Sequence, residues 1–230
     1  MGGINKMKVF PVVHISNHTQ ATEQANVALS LGADGVFFIH HGMGGDERTI
    51  RLAQEFKHRF KDKVIGVNLL SMNAKPAIVA CLKADIQHVW LDNAGIHSET
   101  PDRPLQKFIS DMVAEHGMSV YAGAAFKYQK EEPDPAAAAS QSMNAFMIPV
   151  TSGQATGSAA DVSKVAAMAE ATLGNLGVAS GLTVDNIDQY SPYIKYAFVS
   201  TGVSRNDYEF EPDVLSEFIQ KAHGKSSLSS

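Results

Sequence analysis

Thiols are nearly absent: Cys81 is the one cysteine in 230 residues. A single thiol excludes an internal disulfide and points to a reducing compartment. Long apolar runs are missing too, so no membrane-spanning helix is expected. Positive charge is scarce, with 19 Lys and Arg against 24 Asp and Glu and a formal net charge of -5. No basic stripe accompanies that balance, which argues against a nucleic-acid partner. The opening residues, Met1 to Lys6, hold no apolar signal-peptide region, and Lys6 sits where a myristoylation signal needs Ser or Thr. A cytoplasmic protein is the expectation. Gly224-Lys225-Ser226 lacks the upstream glycine of a phosphate-binding P-loop, and the dinucleotide fingerprint is missing after the first apolar run.

What is present is a repeating alternation. Apolar runs that read as strands occupy Val9–Ser16, Asp34–His41, Val64–Leu70, Ile86–Ala94, Ser119–Lys127 and Ala145–Thr151. Two more begin at Leu176 and Tyr196 and end in small-residue turns, Ser180–Thr183 and Ser200–Val203. Helical patterns fall between them, among them Ala21–Leu31, Pro104–Glu115, Asp161–Leu173 and a final Phe210–Ala222. Asp46 is placed to cap the second helix, and Pro149 sits awkwardly in the sixth strand because it donates no ladder bond. Eight such units with 44% hydrophobic residues suit one (β/α)8 TIM barrel better than an open doubly wound sheet. The expected domain is the whole of 1–230, with frayed tails at 1–7 and 224–230.

In such a barrel the site lies at the C-terminal strand ends. Those ends supply His14, His40 or His41, Asn68, Asp92, Lys127, Ser152 and Ser180. Adjacent strand residues face opposite ways, so at most one of His40 and His41 points inward; His40 is taken as the substrate contact. Two consecutive histidines are not a chelating pair, and no metal is expected. Asp92 and His14 are acid/base candidates; capping the next loop and packing in a barrel layer are their plainer roles. Lys127 follows Gly123 and Ala125 at period two, which would leave space under its ammonium group for a charge-stabilising role; a solvated loop lysine is the alternative. The turns at Gly181, Leu182, Thr183 and at Thr201, Gly202, Val203 fall after strands 7 and 8, where barrels commonly hold a phosphate on backbone N–H groups. Tight turns with no ligand would look the same in sequence.

Several stretches together resemble the BtpA/SgcQ family, grouped with the ribulose-phosphate-binding barrels. They are Val13-His14, Gly32–Val36, Gly66–Leu70, Thr151–Gly157, Ser180–Asn186 and Ser200–Val203. The resemblance implies a TIM barrel, a sugar-phosphate or nucleoside-type ligand, and a link to photosystem I assembly. The chain departs from the family at Gly123 and Ala125, where relatives carry Asp and His, and at His40-His41, which replace an acidic-Asn pair.

The expected function is an isomerase- or lyase-type proton transfer on a sugar phosphate or phosphoribosyl compound. C–N glycosidic hydrolysis and a non-catalytic binding or assembly barrel are the alternatives. No cofactor is expected; FMN, whose phosphate uses the same turns, or a divalent metal are the ones considered. A homo-oligomer is left open.

Overall fold

The computed structural model describes residues 7–42 and 44–224. Eight parallel strands close into a barrel in chain order. They are β1 (Lys8–His14), β2 (Gly35–Ile39), β3 (Val64–Asn68), β4 (His88–Leu91), β5 (Ser119–Gly123), β6 (Ile148–Thr151), β7 (Gly177–Ala179) and β8 (Tyr196–Val199). Closure comes from β1 pairing with both β2 and β8. Between them run α1 (His18–Ser30), α2 (Asp46–Arg59), α3 (Ala74–Lys83), α4 (Arg103–His116), α5 (Pro135–Asn144), α6 (Val162–Ala171) and α7 (Ile187–Tyr190), with α8 (Pro212–Ala222) last. The chain is therefore a (β/α)8 TIM barrel.

Start and stop chemistry explains the helices. Asp102, Asp134 and Asp161 each accept a bond from the backbone N–H three residues on, at the N-termini of α4, α5 and α6. Asp46 does not cap: it is the first residue of α2, behind Gly45, and its carboxyl is buried. The strands are shorter than the apolar runs, because each run continues into the turn beyond its last ladder bond. Pro149 is tolerated as the second residue of the four-residue β6. One element is absent from the expected pattern, a hairpin of β9 (Ser204–Asn206) and β10 (Glu209–Phe210) between β8 and α8.

Two apolar layers hold the barrel together. Between strands and helices lies a mainly aliphatic shell that includes Met7, so the expected N-terminal fraying does not reach that residue. Residues 1–6 and 225–230 of the expected tails lie outside the described residues. Inside the barrel sits an aromatic plug of Phe10, Phe37, Trp90, Tyr121, Tyr196 and Phe198. The Phe10, Phe37, Tyr121 and Phe198 rings meet one another at 5.0–6.1 Å. Gly66 makes room for this plug, since a Cβ there would lie 2.3 Å from the Phe37 ring. Such a packed interior is no channel and pushes any ligand to the mouth.

Candidate active site at the barrel mouth

The plug sets the layer above it. Val12, Ile39, Trp90, Val150 and Phe198 face the interior. Side chains two apart share a face, so His14, His41, Asp92, Ser152 and Ser200 continue the same inward columns. Gly66 leads likewise to Asn68. The result is a polar layer over an aromatic floor.

Asp92 and Asn68 form its acidic side. Asn68 is 3% exposed and donates from Nδ2 to Asp92 Oδ1 at 2.9 Å. Burial raises the Asp92 pKa above the ordinary carboxylate value, and the Asn68 bond, Lys127 and His41 offset this only in part. Both residues line a cavity of about 820 Å³ over β3, β4 and β5, within the size range of small-molecule sites. Lys127 lines it too, and burial lowers its pKa while Asp92 pulls it back up. A carboxyl and an ammonium each drawn toward neutrality in one cleft suit proton transfer.

Lys127 reaches this place by a different route from the expected one. β5 stops at Gly123, and Ala125 has a positive φ of 48°. Period-two spacing therefore ends before Lys127. Instead Ser152 Oγ accepts the Lys127 N–H at 2.8 Å and donates to Gly153 O at 2.8 Å. Ser152 is fully buried, so its hydroxyl serves the backbone and not a substrate. The Lys127 ammonium donates to Ser180 Oγ at 2.9 Å and Thr156 Oγ1 at 3.1 Å.

Gly123 has a packing reason. A Cβ there would lie 2.3 Å from Asp92 O and 3.1 Å from Gln129 Nε2. The Gln129 amide crosses the gap and donates to Asp92 O and Gly123 O. An Asp in its place would meet the end of β4.

On the other side of the mouth His14 and His41 pair, with His14 Nδ1 and His41 Nε2 3.1 Å apart. Burial and the neighbouring ring lower the His14 pKa to about 4. His40, expected to meet substrate, turns back on its own loop: its Nδ1 accepts the Gly42 N–H at 2.8 Å. The inward histidine is His41, and the Phe37–Ile39 alternation carried two residues on would have identified it.

The turns after β7 and β8 surround a niche of about 60 Å³, also lined by His14, Trp90 and Thr156. Their glycines are required by the chain itself. A Cβ at Gly181 would lie 2.3 Å from Ala159 N, and one at Gly202 would lie 2.0 Å from Leu182 O. Two of the six expected N–H donors are already spent, Thr183 on Asn186 Oδ1 and Val203 on Ser200 O. The N–H groups of Gly181, Leu182, Thr201 and Gly202 meet no acceptor among the described residues. All four residues line the niche. Asn186 fixes the first turn by donating to Gly181 O at 2.7 Å.

Sequence reasoning kept His41 only as the alternative to His40, and it missed Gln129 and Asn186. Gln129 lies in a polar insertion and carries no local signal. Among the described residues no three His, Cys, Asp or Glu side chains are grouped to hold a metal, and no helix is long and apolar enough to cross a membrane.

No family model matches the sequence, and no curated protein matches it. Solved structures do. A 3-hexulose-6-phosphate synthase matches with a TM-score of 0.70 at 15% identity, over 94% of this chain and 99% of that one. Phosphoribosyl anthranilate isomerase from Thermus thermophilus matches at 0.67 and 13%, over 96% and 100%. A 3-keto-L-gulonate-6-phosphate decarboxylase from Vibrio cholerae O1 biovar El Tor str. N16961 matches at 0.67 and 10%, over 94% and 98%. Likeness at these identities establishes the barrel fold, shared with enzymes named for sugar-phosphate or phosphoribosyl substrates.

Proposed function

We propose that this chain is an enzyme of the ribulose-phosphate-binding barrel type, acting on a sugar phosphate or phosphoribosyl compound by proton transfer. The observation that carries this reading is the set of four N–H groups around the 60 Å³ niche that meet no acceptor among the described residues. Unpaired backbone donors are uncommon in folded proteins, and a group of them is a ready site for an anion. The phosphate would sit there, held by Gly181, Leu182, Thr201 and Gly202.

Its carbon chain would run across the mouth past Lys127, whose ammonium bonds to Ser180 on the niche wall. The reacting carbons then lie in the larger cavity beside Asp92. Asp92 takes a proton from the carbon next to a carbonyl. Lys127 stabilises the negative charge that develops on the carbonyl oxygen. Asp92 returns its proton to the former carbonyl carbon, and the hydroxyl proton of the first carbon passes to the former carbonyl oxygen, so that the carbonyl moves by one carbon. The group balance is that of an isomerisation; a lyase would break a carbon–carbon bond in place of the first deprotonation. Membership in the BtpA/SgcQ family belongs to the same proposal, and no cofactor is part of it.

Native mass spectrometry of the purified protein tests the reading. A co-purifying or added phosphorylated sugar should be retained, and inorganic phosphate should compete with it. Retention of neutral sugars alone would overturn it. A second reading, a non-catalytic binding barrel, has one observation in its favour: β5 offers no carboxylate, since Gly123 is packed against Asp92 O. Binding of sugar phosphates without solvent exchange of any substrate proton would select it.

A further inference from the structure

His41 lies outside the niche, whereas His14 lines it. Their rings are 4.9 Å apart centroid to centroid, tilted by 33°, with His41 Nε2 and His14 Nδ1 at 3.1 Å. Two imidazole nitrogens at that distance hold one hydrogen between them. Two protons there would clash and none would set lone pair against lone pair. Each ring therefore fixes the other's tautomer. The His14 nitrogen left for the niche is Nε2.

The niche determines which way the proton runs. Gly181, Leu182, Thr201 and Gly202 line it, their N–H groups meet no acceptor among the described residues, and Ser180, the partner of the Lys127 ammonium, lines it too. An anion held there needs a donor from His14, and a lone pair at Nε2 would repel it. We propose that His41 is a positioning residue: its Nε2–H donates to His14 Nδ1 and keeps the His14 proton on Nε2, where a neutral imidazole meets the bound anion. The proposal rests on the phosphate reading of the niche.

The surroundings agree with a neutral pair. Asp207, on the β9–β10 turn, favours charge on both rings; Lys127, beyond β5, opposes it. His40 opposes charge on His41, and Asp92, beyond β4, favours it. Burial outweighs these groups for both rings. A donor that stays neutral discriminates by geometry and keeps its strength across the physiological pH range.

Two-bond ¹H–¹⁵N correlation spectra of the full chain from pH 4 to 8 test this, with His14 assigned by the signal lost in His14→Gln. Wild-type His14 should show the Nε2–H tautomer and stay neutral to about pH 4. In His41→Ala the two tautomers should mix and the His14 pKa should rise toward roughly 6.5. His41→Gln, whose side-chain amide can still donate, should restore the Nε2–H tautomer. An Nδ1–H tautomer in the wild type, or an unchanged tautomer and pKa in His41→Ala, would overturn the proposal. If His41→Ala fails to fold, the wild-type tautomer and His41→Gln decide it. Titrating inorganic phosphate into the same wild-type sample separates the two claims. No shift at the Gly181 and Gly202 amides would refute the niche and leave the histidine pairing standing.

Discussion

The Nζ of Lys127 lies 2.9 Å from the Oγ of Ser180. Lys127 belongs to the wall of the large cavity and Ser180 to the wall of the niche. One bond thus joins the place where an anion would be held to the place where Asp92 could move a proton. Ser180 takes a positive φ of 73° to present its hydroxyl there, a conformation that costs a non-glycine residue roughly 1–3 kcal/mol.

Lys127→Met should lower kcat by about 10²–10³, the usual effect of losing one charge-stabilising donor. Ser180→Ala leaves the ammonium in place and should change kcat by less than about tenfold. Steady-state kinetics on the sugar phosphate retained in mass spectrometry would check both. Equal losses in the two variants would mean that Lys127 acts only by holding the turn.

Asp92→Asn should abolish turnover and raise stability at neutral pH. The Asp92 pKa is raised by burial, so the folded state penalises its charge. That penalty is absent at low pH and grows as pH climbs through the folded pKa. Asn can still accept from Asn68 and carries no charge. Calorimetry at pH 7.5 should show a higher Tm, by about 2–4 °C for each kcal/mol gained in a chain of this size. A lower Tm would contradict the desolvation account.

Acid should destabilise the fold before any carboxylate is involved. His14 and His88 both have pKa values lowered to about 4, chiefly by burial. Between pH 6.5 and 4 the unfolded chain binds these protons and the folded chain does not, so stability falls as pH drops across that window. At 1.36 kcal/mol per unit, each residue contributes at most about 3 kcal/mol. Urea midpoints measured from pH 7 to 4 should decline, and His88→Gln should flatten the slope.

Gly123→Asp, which restores the residue type of the resembled family, should destabilise the barrel and gain no activity. Its Cβ would lie 2.3 Å from Asp92 O, and overpacking of this kind costs about 1–3 kcal/mol. Denaturant titration of Gly123→Asp beside Gly123→Ala would check it. A stable, more active Gly123→Asp would show that Gln129 yields easily and that a carboxylate on β5 can serve the site.

The barrel was legible because its signals are local. Apolar runs and helical patterns such as Pro104–Glu115 recur with each βα unit, and the structure places α4 over that stretch. Asp92 and Asn68 were legible for the same reason, as residues at strand ends. Lys127 was found with the wrong geometry, since the turn at Ala125 shows no sequence signature. His40 was chosen over His41 because the strand's last ladder residue, Ile39, was not known. Gln129 and Asn186 act on segments distant in chain or hidden in loops. Ser152 looked like a substrate contact because a hydroxyl that satisfies buried backbone reads the same as one that meets a ligand.

The central claim is that a phosphate is held by the turns after β7 and β8 while chemistry occurs beside Asp92. A crystal structure of the Asp92→Asn variant soaked with ribulose 5-phosphate tests it most directly. The account predicts phosphate density within hydrogen-bond reach, about 2.7–3.2 Å, of the Gly181, Leu182, Thr201 and Gly202 N–H groups, with the sugar carbons directed toward residue 92. A phosphate seated elsewhere on the mouth, with the niche empty, would contradict it.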